Sequence, residues 1–144
     1  MYGKEQFLAF YASTLCFSSL ASLSYKYWLS RRAFSSSVAG SVGASGALYG
    51  LLGVLWHLPG LRVSLIFLPG IQIPLQVATA GLAVFDLVGM ARGLQVFDHA
   101  AHLGGLAFGW LYHTEGRQWF WSKREQVLES LGLLDSGNNS RKGK

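Results

Sequence analysis

The stretch Gly43-Ala44-Ser45-Gly46-Ala47-Leu48-Tyr49-Gly50 decides how this sequence is interpreted, together with His99-Ala100-Ala101-His102-Leu103-Gly104-Gly105 further along the chain. Each stretch places one reactive side chain, Ser45 or His102, among small residues in an apolar run. A serine hydroxyl becomes a nucleophile when an adjacent base takes its proton. The two stretches therefore suggest a serine nucleophile and its histidine base within an apolar helical protein.

The composition indicates an integral membrane protein of one domain. Of the 144 residues, 51% are hydrophobic and only 13% are charged, and the mean hydropathy is +0.30. The net charge of +5 comes mostly from the C-terminal tail, and the basic residues lie at the ends of apolar segments, as in membrane proteins. No nucleic-acid partner is expected, because a nucleic-acid binder would carry basic residues along one face.

The apolar segments predict an all-α membrane protein, a polytopic bundle of about four transmembrane helices. A soluble helical core would need charged outer faces, which these segments lack. The predicted membrane domain covers residues 1–124, and residues 125–144 form a polar, partly disordered tail. The predicted helices cover residues 6–29, 41–58, 74–90 and 96–113.

The connection between the second and third predicted helices is apolar but contains three prolines. Such a segment could dip into the membrane interface rather than cross the bilayer. The prolines are Pro59, Pro69 and Pro74.

The spacing predicts that Ser45 and His102 lie at the same depth. Both of their helices start on the side opposite the tail, with Ser45 about four and His102 about six residues in, at about 1.5 Å rise per residue. Small-residue stripes would let the two helices approach closely. These stripes also fit the simpler interpretation that they only pack two helices. They comprise Gly46, Gly50 and Gly53 on the second helix and Ala101, Gly105 and Gly109 on the fourth.

Three further residues are candidates for the same site. Tyr49 lies four residues after Ser45 on the same helix face and could stack on the His102 ring. Asp98 could orient His102 as a third member, but we prefer a helix-start carboxylate stabilised by the helix dipole. Asp86, inside an apolar helix, is a functional candidate by default, although it could instead reach water or Arg92.

Other chemistries fit less well. His99 and His102 have an i, i+3 spacing that could bind a metal, but no ligand-rich partner segment appears, so we predict neither a metal nor a cofactor. The nucleophile elbow Gly-x-Ser-x-Gly is excluded because residue 47 is alanine. His57 and His113 lie near the far ends of the second and fourth helices and are predicted to be interfacial.

The motifs of this sequence resemble those of a known family. Gly43-Ala44-Ser45-Gly46 followed by Tyr49, and Ala101-His102-Leu103-Gly104-Gly105 followed by Gly109, resemble the two catalytic motifs of rhomboid intramembrane serine proteases. The resemblance covers nearly the whole chain up to about Arg124. Three other stretches are similar to the mitochondrial, presenilin-associated rhomboid-like branch: Gly3-Lys4-Glu5-Gln6-Phe7-Leu8-Ala9, Ile66-Phe67-Leu68-Pro69 and Phe97-Asp98-His99-Ala100-Ala101-His102.

The resemblance implies a Ser–His dyad without a cofactor, in which Ser45 is the nucleophile and His102 the general base. It implies that Tyr49 packs on His102, and it makes Gly43, Gly46 and Gly105 supporting residues. The implied partners are the lipid bilayer and transmembrane protein substrates, and the oligomeric state stays open. The implied location is a multi-pass position in the mitochondrial inner membrane.

One departure from the family affects the expected activity. The family core has six spans, and this chain resembles the third to the sixth. The second span of the family carries a His and an Asn that assist the oxyanion, and losing one oxyanion donor typically costs about 100- to 1000-fold in rate. We therefore expect an intramembrane serine endopeptidase in a truncated form with impaired activity. The alternative is a non-catalytic rhomboid-like binder of transmembrane client proteins.

Overall fold

The structure, a computed structural model, describes residues 3–32, 44–65, 68–94 and 97–116, together with residues 123, 127 and 130. The chain divides into two compact units, Met1–His113 and Thr114–Lys144. The predicted boundary at residue 124 lies outside the described residues and stays a prediction. The first unit is mostly helical, as predicted. Its elements are α1 (Lys4–Arg32), α2 (Ser45–Leu55), β1 (Arg62–Leu65), β2 (Leu68–Pro74), α3 (Leu75–Ala91) and α4 (His99–Leu111), and the π-helix Tyr112–Gly116 follows α4 in sequence.

The second and fourth helices are shorter than the sequence predicted. Helix α2 ends at Leu55, before Pro59, and proline lacks the N–H that would continue the helix. Helix α4 begins at His99 because the Asp98 side chain accepts a hydrogen bond from the Ala101 amide and so caps the helix. Residues 41–43 and 95–96, which the predicted helices included in part, lie outside the described residues.

The length of each helix determines whether it can cross a bilayer. Among the described residues, the segment Lys4–Arg31 of α1 is the one helix long and apolar enough to cross a bilayer. Helix α2 has 11 residues, which extend about 17 Å against a hydrocarbon thickness of about 30 Å. The prediction of four transmembrane helices is therefore not confirmed, whereas four α-helices are present in the described part of the chain.

The connection between α2 and α3 is a β-hairpin, which corrects the all-α prediction. Strands β1 and β2 pair antiparallel, with Val63 opposite Ile73 and Ser64 opposite Gln72, and the register shifts after Ser64. Gly70 has a φ of 104°, a backbone conformation that residues other than glycine rarely adopt. The described part of this connection is thus largely strand, in which β-branched residues such as Val63 and Ile73 are favoured.

Helix α4 occupies the centre of the first unit and packs against α1, α2 and α3. The predicted glycine stripes of α2 and α4 face each other. A Cβ atom on Gly105 would meet the carbonyl oxygen of Gly46, and one on Gly109 would meet that of Gly50. The two backbones are therefore in direct contact, as small-residue stripes permit.

The first unit buries polar groups and exposes apolar ones. The buried polar residues include Asp86, which has 0% exposure, and both His99 and His102. Helix α3 exposes a row of large apolar side chains: Val77, Leu82, Val84, Phe85, Leu87 and Val88. Soluble proteins bury most of their apolar side chains and pair or expose their polar ones, so this distribution is typical of a lipid-facing surface.

We predict that Gly105→Ala destabilises the protein, because its methyl group would meet backbone rather than a movable side chain. Overpacking of this kind costs about 1–3 kcal/mol of unfolding free energy. Gly81→Ala is the matched control, since a Cβ atom at Gly81 has no neighbour within 4 Å, and alanine gains up to about 1 kcal/mol in a helix interior. Unfolding of both variants in detergent, followed by circular dichroism, checks this. A Gly105→Ala variant as stable as Gly81→Ala would contradict the close approach.

Candidate active site

The structure brings the two predicted catalytic residues together. Ser45 is the first residue of α2, and His102 lies in the first turns of α4. The Ser45 Oγ atom lies 3.1 Å from the His102 Nε2 atom across 57 positions of sequence. This distance is within the reach needed for proton transfer to a general base. His102 is 8% exposed and Ser45 is half-buried, so the pair lies at the edge of the helix packing.

Tyr49 holds the histidine ring in place. Its ring stacks on the imidazole of His102 with centroids 4.2 Å apart and planes inclined by 6°. Because Tyr49 follows Ser45 by one turn of α2, the same helix supplies both the hydroxyl and the surface on which the imidazole rests. The stacking that the sequence predicted is present.

Two of the three glycines predicted to support the site lie at the contact between α2 and α4. Gly46 is buried, and a Cβ atom there would overlap the side chain of Ser18. Gly105 is in backbone contact with Gly46, so both residues set the distance between α2 and α4. Gly43 lies outside the described residues.

Asp86 of α3 occupies the position behind His102 that sequence reasoning left open. Its Oδ1 atom lies 3.1 Å from the His102 Nδ1 atom, the ring nitrogen opposite the one that faces Ser45. An Nδ1–H that donates to a carboxylate leaves the lone pair on Nε2. The carboxylate is 0% exposed, so the alternative in which Asp86 reaches water or Arg92 is wrong. Asp86 was a functional candidate because a carboxylate inside an apolar helix is costly, but no spacing in the sequence linked it to His102.

Asp98 lies at the start of α4, which supports the helix-start interpretation over a role as third member. One carboxylate oxygen accepts from the Ala101 amide at 3.0 Å. The other accepts from the Ser22 hydroxyl at 2.5 Å and pairs with Lys26 at 3.2 Å. Asp98 therefore joins α1 to α4.

A second histidine shares the carboxylate of Asp86. The His99 Nδ1 atom lies 2.6 Å from the Asp86 Oδ1 atom, and donor atoms of Asp86, His99 and His102 all lie within 4.8 Å of one another. The sequence shows no ligand-rich partner segment for the two histidines. Packing of α3 against α4 nevertheless places one further ligand-type side chain, Asp86, beside them.

The other two histidines are remote from this group. His57, just after α2, stacks on His113, just after α4, with centroids 4.5 Å apart. They lie at the opposite ends of the two helices from Ser45 and His102, as the sequence predicted.

A serine, an imidazole and a carboxylate in a hydrogen-bonded row have the arrangement of a serine protease site, here set among apolar helices. The chain belongs to the rhomboid family, whose family model for the rhomboid domain matches residues 1–117. The family assignment agrees with the observed row of hydrogen-bonded polar side chains inside a mostly apolar helical bundle.

Individual relatives agree with this assignment. The chain is 35% identical over 98% of its length to the zebrafish (Danio rerio) presenilin-associated rhomboid-like protein A, mitochondrial, of which it covers 36%. It is 37% identical over 88% of its length to the human presenilin-associated rhomboid-like protein, mitochondrial, of which it covers 32%. It is 33% identical over 92% of its length to the yeast (Saccharomyces cerevisiae) rhomboid protein 1, mitochondrial, of which it covers 37%.

The chain spans about a third of the length of these curated relatives. No solved structure matches the chain. The relatives are named as mitochondrial and the family is one of membrane proteins, and the chain is accordingly a mitochondrial integral membrane protein.

We predict that Asp98→Ala destabilises the protein by about 1 kcal/mol more than Asp98→Asn does, because asparagine can still cap a helix whereas alanine cannot. Both variants lose the ion pair with Lys26, so their difference measures the hydrogen bonds that asparagine keeps and alanine loses, namely the cap on Ala101 and the contact with Ser22. Chemical unfolding of both variants in the same detergent measures this difference. Equal stabilities would contradict the role of Asp98 as a helix cap.

Proposed function

We propose that the chain carries the catalytic site of an intramembrane serine endopeptidase, with Ser45 as nucleophile and His102 as general base. The observation that carries this proposal is the 3.1 Å contact between Ser45 Oγ and His102 Nε2 in a chain of the rhomboid family. The side chain types fit a hydrolase that needs no cofactor, since a serine activated by an adjacent base can attack a peptide carbonyl.

The chemistry follows from the order of the hydrogen bonds. As Ser45 Oγ attacks the carbonyl carbon, its proton passes to His102 Nε2. The resulting imidazolium donates its Nδ1–H to Asp86, whose buried negative charge stabilises the positive ring. His102 then gives the proton to the leaving amine, and the acyl group stays on Ser45 until a water molecule hydrolyses the ester.

The start of α2 offers donors for the oxyanion. Ser45 is the first residue of α2, and the first N–H groups of a helix have no partner within the helix. The helix dipole also places partial positive charge at this end. We propose that the backbone N–H of Ser45 contributes to oxyanion stabilisation, where preorganised donors contribute most.

The distribution of polar and apolar side chains supports a position within a bilayer. The four α-helices bury Thr14, Ser18, Thr79 and Asp86 and expose large apolar side chains, which is favourable in lipid and unfavourable in water. We propose that these helices lie within the mitochondrial inner membrane, which α1 is long enough to cross, and that the substrates are transmembrane proteins. The half-buried position of Ser45 is compatible with the access to water that hydrolysis requires.

Covalent labelling by a fluorophosphonate tests the nucleophile. The expected result is labelling of the 144-residue chain in lipid nanodiscs at Ser45, located by peptide mass spectrometry, and its loss in Ser45→Ala. Ser30→Ala is the matched control, because Ser30 is exposed and its hydroxyl donates to the carbonyl of Tyr27 within the same helix. His102→Asn should slow labelling by about 100-fold or more, which is the usual contribution of a general base.

Two results would count against the protease proposal. Labelling that persists in Ser45→Ala would place the reactive group elsewhere. A folded chain that never labels, but retains transmembrane proteins in a pull-down, would instead favour the non-catalytic binder of transmembrane clients.

A second prediction concerns Asp86. Asp86→Asn removes the negative charge that stabilises the imidazolium, and the equivalent change in a serine protease triad costs about 10,000-fold. We expect a large loss in labelling rate with little change in far-ultraviolet circular dichroism. Asp98→Asn is the control, because it changes another carboxylate that contacts α4, one that caps the helix rather than contacting the His102 ring. Equal labelling rates in the two variants would refute the role of Asp86.

A further inference from the structure

We propose that Asp86, His99 and His102 form a binding site for a divalent transition-metal ion of the zinc type, and that the bound ion inhibits Ser45. The binding stands on the geometry of these three side chains alone, whereas the inhibition rests on the proposed protease function.

The donor atoms suit such an ion. One carboxylate oxygen and two imidazole nitrogens are a common protein ligand set for zinc, with further positions left to water or another group. The Asp86 Oδ1 atom lies 2.6 Å from His99 Nδ1 and 3.1 Å from His102 Nδ1. With metal–ligand bonds of about 2.0–2.1 Å, tetrahedral donors are about 3.3 Å apart, so a small outward shift of the rings makes room for the ion.

One ligand-type side chain of the cluster also has an oxygen without a hydrogen-bond partner. Within the described residues, Asp86 Oδ2 is buried and unpartnered, and the Asp86 side chain is 0% exposed. The Tyr49 hydroxyl faces the carboxylate but does not complete a hydrogen bond to Oδ2. A buried polar atom without a partner is costly. An ion held by both oxygens of Asp86 would give Oδ2 a partner and would replace the two imidazole N–H groups at Oδ1.

The two imidazole rings are already held in position. His99 packs against Gly89, where a Cβ atom would overlap its ring, and the rings of Phe85 and Phe97 contact its plane edge-on. His102 is held by the stacked ring of Tyr49. Since ligands that are fixed in advance lose little freedom on binding, this arrangement favours metal affinity.

Inhibition follows from the proton on His102. In the metal-free site, Nδ1 carries the proton toward Asp86, and Nε2 accepts from Ser45. A metal ion bound at Nδ1 takes the lone pair of that nitrogen, so the single proton of the neutral ring moves to Nε2. The Nε2–H then donates to Ser45 Oγ instead of accepting its proton. No proton leaves His102, yet Ser45 has lost its base.

Metal binding is measured first, without reference to activity. The probe is Co²⁺, whose visible absorption is strong when it is bound by a few nitrogen and oxygen ligands in tetrahedral geometry. We expect this absorption with the 144-residue chain in nanodiscs and with Ser45→Ala, and its competition by Zn²⁺. His99→Asn should abolish the absorption, because the amide can still donate to Asp86 at the Nδ1 position but offers no imidazole ligand.

His57→Asn is the matched control, because His57 belongs to the other histidine pair. Its variant should retain the Co²⁺ absorption. Absorption that is lost in His57→Asn and kept in His99→Asn would place the ion at the remote pair and overturn the proposal, as would the absence of any absorption.

Inhibition is measured second, as the ratio of fluorophosphonate labelling rates with and without Zn²⁺, taken for each variant against itself. Saturating Zn²⁺ should slow labelling by about 100-fold or more, the usual contribution of a general base, and a chelator should restore it. In His99→Asn the ratio should be close to one. Labelling without Co²⁺ binding would refute the metal site and keep the protease, whereas Co²⁺ binding to a chain that never labels would keep the metal site and refute the protease.

Discussion

The contact between the backbones of α2 and α4 is the constraint on which the rest of the structure depends. Gly105 and Gly109 meet the carbonyl oxygens of Gly46 and Gly50, and any side chain there would force the helices apart. The Ser45 hydroxyl is one bond beyond its Cβ atom, so it reaches His102 only at this helix separation. In lipid the hydrophobic effect does not drive helices together, so close packing and polar contacts must do so.

Polar contacts complete the attachment of α4 to its neighbours. Asp98 joins α4 to α1 through Ser22 and Lys26, and Asp86 joins α3 to α4 through His99 and His102. Each buried polar group is more favourable inside the bundle than facing apolar surroundings. The same contacts that hold the helices together therefore also orient the His102 ring, so the packing and the chemistry of the site share side chains.

Much of the candidate site was predictable because it follows from local geometry. The period of the helix places Tyr49 one turn from Ser45, and the glycine repeats mark the faces that meet. The hairpin between α2 and α3 was not predicted, because its apolar run with prolines also suits an interfacial segment. The lengths of α2 and α4 were overestimated, since hydropathy does not indicate where Pro59 ends one helix and Asp98 caps the other.

The sequence by itself determined the family, the pairing of Ser45 with His102 and the helix faces that bring them together, because these depend on residue types and on spacing within single helices. Only the tertiary structure decided that Asp86, rather than Asp98, lies behind His102, and that His99 shares the same carboxylate. Asp86 is on a different helix, and the crossing of α3 over α4 depends on side-chain packing such as the fit of His99 against Gly89. No periodic pattern in the sequence indicates how α3 crosses α4.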